Sequence, residues 1–168
     1  MEEIVNKVAN SSLEIFDLED YYPNETIAII DISQWLYEGI VLREKEFRSA
    51  LAEIDWNQYD QHLVALHCST DAIIPSWAMM LVASYLQPYA KEIVQGTKEQ
   101  LLLSYYQNKI NEIDFSVFQD KPTIIKGCAK KPIPEECYVM ALKKMQDYAR
   151  SIMFGEACSA VPIYKRKK

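Results

Sequence analysis

Apolar positions along this chain change period repeatedly, and the changes mark out strands and helices in alternation. Residues 26–30 are β-branched or apolar without a break, the pattern of a strand buried on both faces. Ser33 then stands where a helix cap would. Leu36, Ile40, Phe47, Leu51 and Ile54 follow it at helical spacing until the polar run 55–60 breaks the pattern. A second apolar run, 62–67, predicts a strand ending at Cys68. Pro75 opens a helix whose Trp77, Met80, Leu81, Ser84 and Tyr85 share a face, and Pro88 stops it. A third strand at 92–95 closes on Gly96, and Thr97 with Gln100 has the spacing of a capping box for a helix carrying Leu101, Leu102 and Tyr105. After an irregular stretch at 113–121, a fourth strand at 123–126 runs into Gly127 and Cys128. A helix from 135 then carries Tyr138, Leu142, Met145 and Ala149, and a fifth strand at 151–154 ends in Gly155.

Such alternation, with connections of this length, predicts an α/β protein. The expected architecture is a single domain with a mainly parallel sheet of about five strands and helices on both faces. The domain is expected over 25–164, with an acidic N-terminal arm over 1–24 and a basic tail over 165–168. Within the arm, the alternating run 13–18 suits an edge strand or a packing arm. No internal repeat and no low-complexity linker is evident along the chain.

Composition narrows the class of protein without naming a reaction. The chain has 168 residues, of which 49% are apolar and 25% charged, enough for a real core and unlike a disordered chain. Its net charge of −6 disfavours nucleic acid as a partner, since phosphate binding needs a basic face. No apolar run approaches the roughly 20 residues of a bilayer span. The start, Met1-Glu2-Glu3-Ile4, also lacks the features of a secretory signal. A cytoplasmic protein without a membrane span is the expectation, and its oligomeric state is open. Glu2, Glu3, Glu14, Asp17, Glu19, Asp20 and Glu25 stand against Lys7 at one end, and Lys165 to Lys168 are all basic at the other.

The chemistry-bearing residues are the four cysteines. In a reducing compartment they are free, catalytic or metal-bound rather than paired. Cys68, Cys128 and Cys158 each follow a predicted strand, where ligands gather in an open parallel sheet. Three converging thiolates with a fourth ligand, Asp71 or His67, suit zinc or an iron–sulfur cluster, because soft sulfur selects those metals. Two alternatives stand beside this. Cys68, ahead of a helix N-terminus, could be the nucleophile of a thiol-dependent enzyme or sulfur carrier. The thiols could equally be small buried apolar groups in a non-enzymatic interaction domain. Cys137 falls within a helix and is expected to pack. The loop 69–76, with Lys126, Lys130 and Lys131 beside the fourth strand, is the one place where a small anion is conceivable; no nucleotide-binding glycine motif accompanies it.

Four segments carry a family resemblance: 17–23 (Asp-Leu-Glu-Asp-Tyr-Tyr-Pro), 67–78 (beginning His-Cys-Ser-Thr-Asp), 126–128 with 131–134, and 154–168 (beginning Phe-Gly-Glu-Ala-Cys). Together they resemble the bacterial family designated domain of unknown function 2480, essentially from end to end. The resemblance carries Cys68, Asp71, Cys128 and Cys158 as motif positions and leaves Cys137 outside the motifs. It implies no established activity. Because members are encoded near sulfur-mobilising iron–sulfur assembly proteins, it implies an accessory role there, with a protein partner from that machinery.

Overall fold

The unbroken apolar runs become parallel strands, because only a segment free of polar side chains can be covered on both faces. The computed structural model describes residues 12–127 and 130–167. Its strands are β1 (Glu14–Phe16), β2 (Ile27–Asp31), β3 (Leu63–His67), β4 (Glu92–Gln95), β5 (Pro122–Lys126), β6 (Ser151–Glu156) and β7 (Ser159–Lys165). Its α-helices are α1 (Glu44–Ala52), α2 (Ser76–Leu86), α3 (Lys98–Glu112) and α4 (Glu136–Met145). The expected α/β class with mainly parallel pairing holds. The strands are shared between two sheets, where about five had been expected in one: β2-β3-β4, all parallel, and β1-β5-β6-β7, in which only β6–β7 is antiparallel.

The chain divides into two compact units. Pro23–Tyr105 form an inserted unit, and Met1–Tyr22 with Tyr106–Lys168 form a flanking unit. The segment expected to be an arm therefore supplies β1, the edge strand of the flanking sheet. Residues 1–11 and Lys168 lie outside the described residues.

In the inserted unit, Leu63, Val64, Ala65 and Leu66 of β3 are almost wholly buried. One face of the sheet, through Ile30, Val64 and Leu66, packs with Phe47, Leu51, Ala78, Val82 and Leu86 of α1 and α2. The other, through Leu63 and Ala65, meets Leu101 and Tyr105 of α3. The capping box forms as the spacing predicts: Thr97 N–H donates to Gln100 Oε1 at 2.8 Å, and Gln100 N–H donates to Thr97 Oγ1 at 3.3 Å.

Three expectations are corrected. The helix expected from Ser33 to Ile54 is a 3-10 turn at Ile32–Trp35, a tight turn, and then α1. Glu38 and Gly39 adopt φ of +50° and +73° there, so the chain reverses, and Tyr37 and Val41 exchange backbone hydrogen bonds. The buried face of α2 is Ala78, Met79, Val82 and Leu86, while Met80 is 69% exposed. Small side chains sit against the sheet, and Trp77 and Tyr85 pack at the margin on Phe47 and Trp56. The fifth strand, expected to end in Gly155, continues as β6 to Glu156 and turns back as β7, a strand the pattern did not predict. Pro162 disguised that strand, and its edge position tolerates a missing N–H. Gly155 makes the turn possible, with φ +129° and only 2.5 Å between a hypothetical Cβ and Ser159 O.

The two units also share an internal repeat that the sequence pattern hid. Each position in 44–96 has its counterpart 59 positions later, from Glu44 at Leu103 to Gly96 at Gly155. Phe47 and Leu51 of α1 correspond to Tyr106 and Ile110 of α3, and all four are buried. Asn57 N–H donates to Asp55 Oδ1 (3.1 Å) as Ser116 N–H does to Asp114 Oδ1 (2.9 Å). Gln61 N–H bonds Tyr89 O as Asp120 N–H bonds Tyr148 O, both at 3.0 Å, and Gln61 and Asp120 adopt φ of +57° and +58°. The β2 strand with its 3-10 turn at Ile32–Trp35 matches β1 with the 3-10 turn at Leu18–Tyr21. Only this first strand breaks the constant spacing, because the second module is interrupted by the first.

The repeat yields a paired prediction. Thr123 occupies the position of Val64; its Oγ1 is fully buried and has no hydrogen-bond partner among the described residues. Thr123→Val is expected to stabilise the protein by about 1–2 kcal/mol, and Val64→Thr to destabilise it by a similar amount. Urea unfolding measures both, and a neutral Thr123→Val would mean that the hydroxyl is satisfied.

Candidate functional site

Strand β2 ends on an aspartate, and the in-register partner of Asp31 is His67, the last residue of β3. The carboxylate is held from two directions. Asp31 Oδ1 accepts from Ser33 N–H at 3.0 Å, which caps the following 3-10 turn, and from Ser69 N–H at 3.1 Å. Asp31 Oδ2 accepts from the Ser69 hydroxyl at 2.5 Å, and Ser33 Oγ lies 3.3 Å from Ser69 Oγ. The chain leaving β3 is thereby tied to the chain leaving β2. Burial pushes the Asp31 carboxyl up, but the Ser69 hydroxyl, the two backbone N–H donors and the Ser33 hydroxyl outweigh it and hold the group well below the usual carboxylate range.

The repeat shows what this arrangement is for. Asp17 directly follows β1 in the flanking unit, accepts from Glu19 N–H at 2.9 Å, and takes Lys126 Nζ at 2.6 Å from the end of β5. Both units therefore clasp adjacent strand ends through one aspartate. Asp31 and Ser69 are a structural clasp rather than an acid–nucleophile pair.

The next link belongs to Cys68. Thr70 Oγ1 donates to Gly39 O at 2.6 Å, and a carbonyl only accepts, so the single hydroxyl proton is committed there. Thr70 Oγ1, 3.4 Å from Cys68 Sγ, consequently accepts the thiol proton; Thr70 O, at 3.7 Å, is a second acceptor. Cys68 is thus a half-buried thiol donor that fixes the loop between β3 and α2 onto the Glu38-Gly39 turn. Beyond that turn lies an open groove of about 780 Å³. Ile40, Val41, Leu42 and Glu44 line one side, and Asp71, Ile73, Pro75 and Trp77 the other. Ile73 is 94% exposed.

Of the sequence-derived site residues, Cys68 and Asp71 belong to this loop of the inserted unit, and Asp71 lines the groove. Cys158 is exposed in the turn between β6 and β7 of the flanking unit, at a hairpin tip rather than in a strand-end crevice. Cys128 lies outside the described residues. No sheet carries all three preceding strands, since β3 is in one and β5 and β6 are in the other. Among the described residues no group of three or more His, Cys, Asp or Glu side chains is placed to hold a metal, which gives the zinc or iron–sulfur expectation no support. Cys137 packs, as its place in a helix implies. Burial, reinforced by the charge of Glu136, pushes its thiol up to about 11, so it stays protonated at neutral pH.

Of the lysines thought to favour an anion, Lys126 and Lys131 have side-chain partners of their own, and Lys130 is held through its backbone. Lys126 pairs with Asp17; the backbone N–H groups of Lys130 and Lys131 donate to Glu19 Oε1, the latter at 2.8 Å; and Lys131 Nζ sits 4.8 Å over the Tyr22 ring. Sequence reasoning missed Asp31, Ser69 and the Tyr37–Val41 turn. The available signal was an Asp ending an apolar strand with Ser two residues on, the pattern of a short cap.

Among the described residues no helix is long and apolar enough to cross a membrane. A family described as a protein of unknown function, DUF2480, matches residues 2–166. No curated protein and no solved structure matches the chain.

The clasp has a pH signature. Because its folded pKa lies below the unfolded value near 3.8, Asp31 contributes stability that is fully present above about pH 4 and lost as pH falls through the folded value. Asp31→Asn is therefore expected to melt below the parent at pH 7, with the gap narrowing as pH falls below about 4. A gap that stays constant with pH would show that the ionised carboxylate is not what holds the strand ends.

Proposed function

The chain belongs to DUF2480, a family of unknown function, and we propose that it serves as a protein-docking module whose inserted unit receives an extended segment of a partner. The observation that carries this reading is the groove between residues 40–44 and 71–77. It is open, mostly apolar, and edged by Ile73 standing almost free of the protein's own packing. Contiguous exposed apolar surface of this kind marks a contact site. The floor is kept in shape by two hydrogen bonds, Thr70 to Gly39 and Cys68 to Thr70, so the site is largely formed before a partner arrives. Its two charged lining residues are Glu44 and Asp71. Glu44 is bound by Arg48 at 2.9 Å, and Asp71 makes no ion pair among the described residues. The segment that fits carries branched apolar side chains and one Lys or Arg to meet Asp71.

Selection from a displayed library of random peptides tests this. Enriched peptides are expected to combine a basic residue with branched apolar ones, and to lose affinity at least about tenfold on Ile73→Asp or Asp71→Lys. No enrichment, or enriched peptides indifferent to both substitutions, ends the reading.

The competing proposal is a zinc or iron–sulfur centre on Cys68, Cys128 and Cys158 with Asp71. It has the soft-donor chemistry of the thiols behind it and no grouping of them among the described residues. Metal analysis of anaerobically purified protein separates the two. The docking reading expects no stoichiometric metal, with all four thiols titratable once the protein is unfolded and without any metal released. One zinc per chain, or iron with acid-labile sulfide, would move the function to the cysteines.

A further inference from the structure

Both repeats bury the same face of their second helix and differ on the outer one. On α4, Cys137, Ala141 and Met145 are buried, as are Ala78, Val82 and Leu86 at the matching positions of α2. The outward positions of α4 carry Glu135 and Glu136 at its start, Val139 in the middle, and Lys143 and Lys144 at its end. The corresponding residues of α2, namely Ser76, Trp77, Met80, Ser84 and Tyr85, carry no charge. The bipolar pattern is therefore particular to the flanking unit and no requirement of the module.

None of these four charged residues makes an ion pair within the chain among the described residues, and all four are exposed. Beside them lies apolar surface that the fold leaves uncovered. Val139 is 59% exposed, and Val161 and Ile163 of β7 are 60% and 50% exposed. A small cavity of about 150 Å³ opens between α4 and β7, walled by Tyr138, Val139, Leu142, Phe154 and Ile163. The edge of β7 is a poor template for strand addition, because Pro162 lacks the N–H that a ladder needs. A partner on this surface makes contact through side chains.

We propose that this face binds a second copy of the same chain, with the two α4 helices antiparallel about a two-fold axis passing between Val139 and Met140. That axis sets Glu136 opposite Lys143 of the second copy, and the symmetry repeats the pair; Glu135 and Lys144, half a turn apart around the helix, reinforce the charge at the same two heights without pairing directly. Val139 falls beside the axis, flanked by the apolar side chains of β7. A surface with acid at one end, apolar groups in the middle and base at the other is complementary to itself under such a rotation, which is what an isologous contact demands. The contact is of the small, reversible class. It is independent of the groove in the inserted unit.

Acids at a helix start and bases at its end also complement the helix's own dipole, so the test must separate association from helix stability. Sedimentation velocity from about 1 to about 200 µM, a range that brackets transient interfaces, is expected to show a monomer–dimer equilibrium for the intact protein. Val139→Glu should abolish it. Two charge-reversed proteins, E135K/E136K and K143E/K144E, should each self-associate at least about tenfold more weakly. Their equimolar mixture should form a one-to-one dimer, because one helix is then positive throughout and the other negative. Circular dichroism confirms that each variant is folded. Parent protein monomeric over the whole range, a dimer indifferent to Val139→Glu, or a mixture no more associated than its components overturns the proposal. Charge reversals that lower thermal stability without moving the association constant assign the charges to the helix dipole alone, and that too overturns it.

Discussion

The structure depends on a carboxylate at the end of a short strand. A three-residue or five-residue parallel strand has few ladder bonds, and its neighbour's exit must be held at the right height for the helix that follows. Asp31 does this in the inserted unit by accepting from Ser33 on its own chain and from Ser69 on the next. Asp17 does it in the flanking unit with Glu19 and Lys126. Each aspartate caps the 3-10 turn that follows its strand, so one charged group satisfies local donors and fixes strand pairing together. The groove and the Cys68 thiol inherit their positions from that clasp, since Ser69 to Pro75 leave directly from it.

The two units read as one module used twice, with the sequence of the second copy interrupted by the first. What the copies share is what holds a parallel layer together: the Asp cap before each 3-10 turn, the left-handed residue before each central strand, and the small residues of the buried helix face. What they do not share is the outside. The β3–α2 loop of the inserted unit carries Cys68, Thr70 and Asp71 beside an apolar groove. The matching loop of the flanking unit carries Lys130 and Lys131 held by Glu19 and Tyr22. The hairpin β6–β7 and the bipolar α4 occur only in the flanking unit. Divergence confined to exposed loops and helix faces, over a core kept in register, is the usual way in which a fold acquires separate sites.

Much of this was legible in the chain. The runs 62–67, 92–95 and 123–126 are strands within a residue or so, and the capping box at Thr97 and Gln100 forms as its spacing predicts, because both signals are local and need no partner. The α2 face came out turned by about one position, since the large side chains that dominate a pattern, Trp77 and Tyr85, pack at the margin while Ala78 and Val82 meet the sheet; of the stripe expected on the last helix, Met145 and Ala149 are buried as the pattern implies. The repeat escaped notice because it is written in caps, turns and volumes; Trp56 and Phe115, or Leu51 and Ile110, are equivalent in the core without being identical. The convergence expected of the cysteines finds no support among the described residues for a related reason. A position after a strand is meaningful only once it is known which sheet that strand joins.

By itself the sequence determined the α/β class, the parallel pairing, most element boundaries, the family and the packing role of Cys137. Periodicity, caps and Pro or Gly breaks act within a few residues and are fully present in one dimension. Tertiary structure alone decided that the strands divide between two sheets, that residues 12–22 join a unit whose remainder begins at Tyr106, and that the Cys68 thiol donates a hydrogen bond to Thr70. Each of these joins groups far apart in the chain, from Phe16 beside Ile125 to Thr70 beside Gly39. Long-range pairing is settled by the sum of burial and hydrogen bonding over the folded chain, and no local pattern encodes that sum.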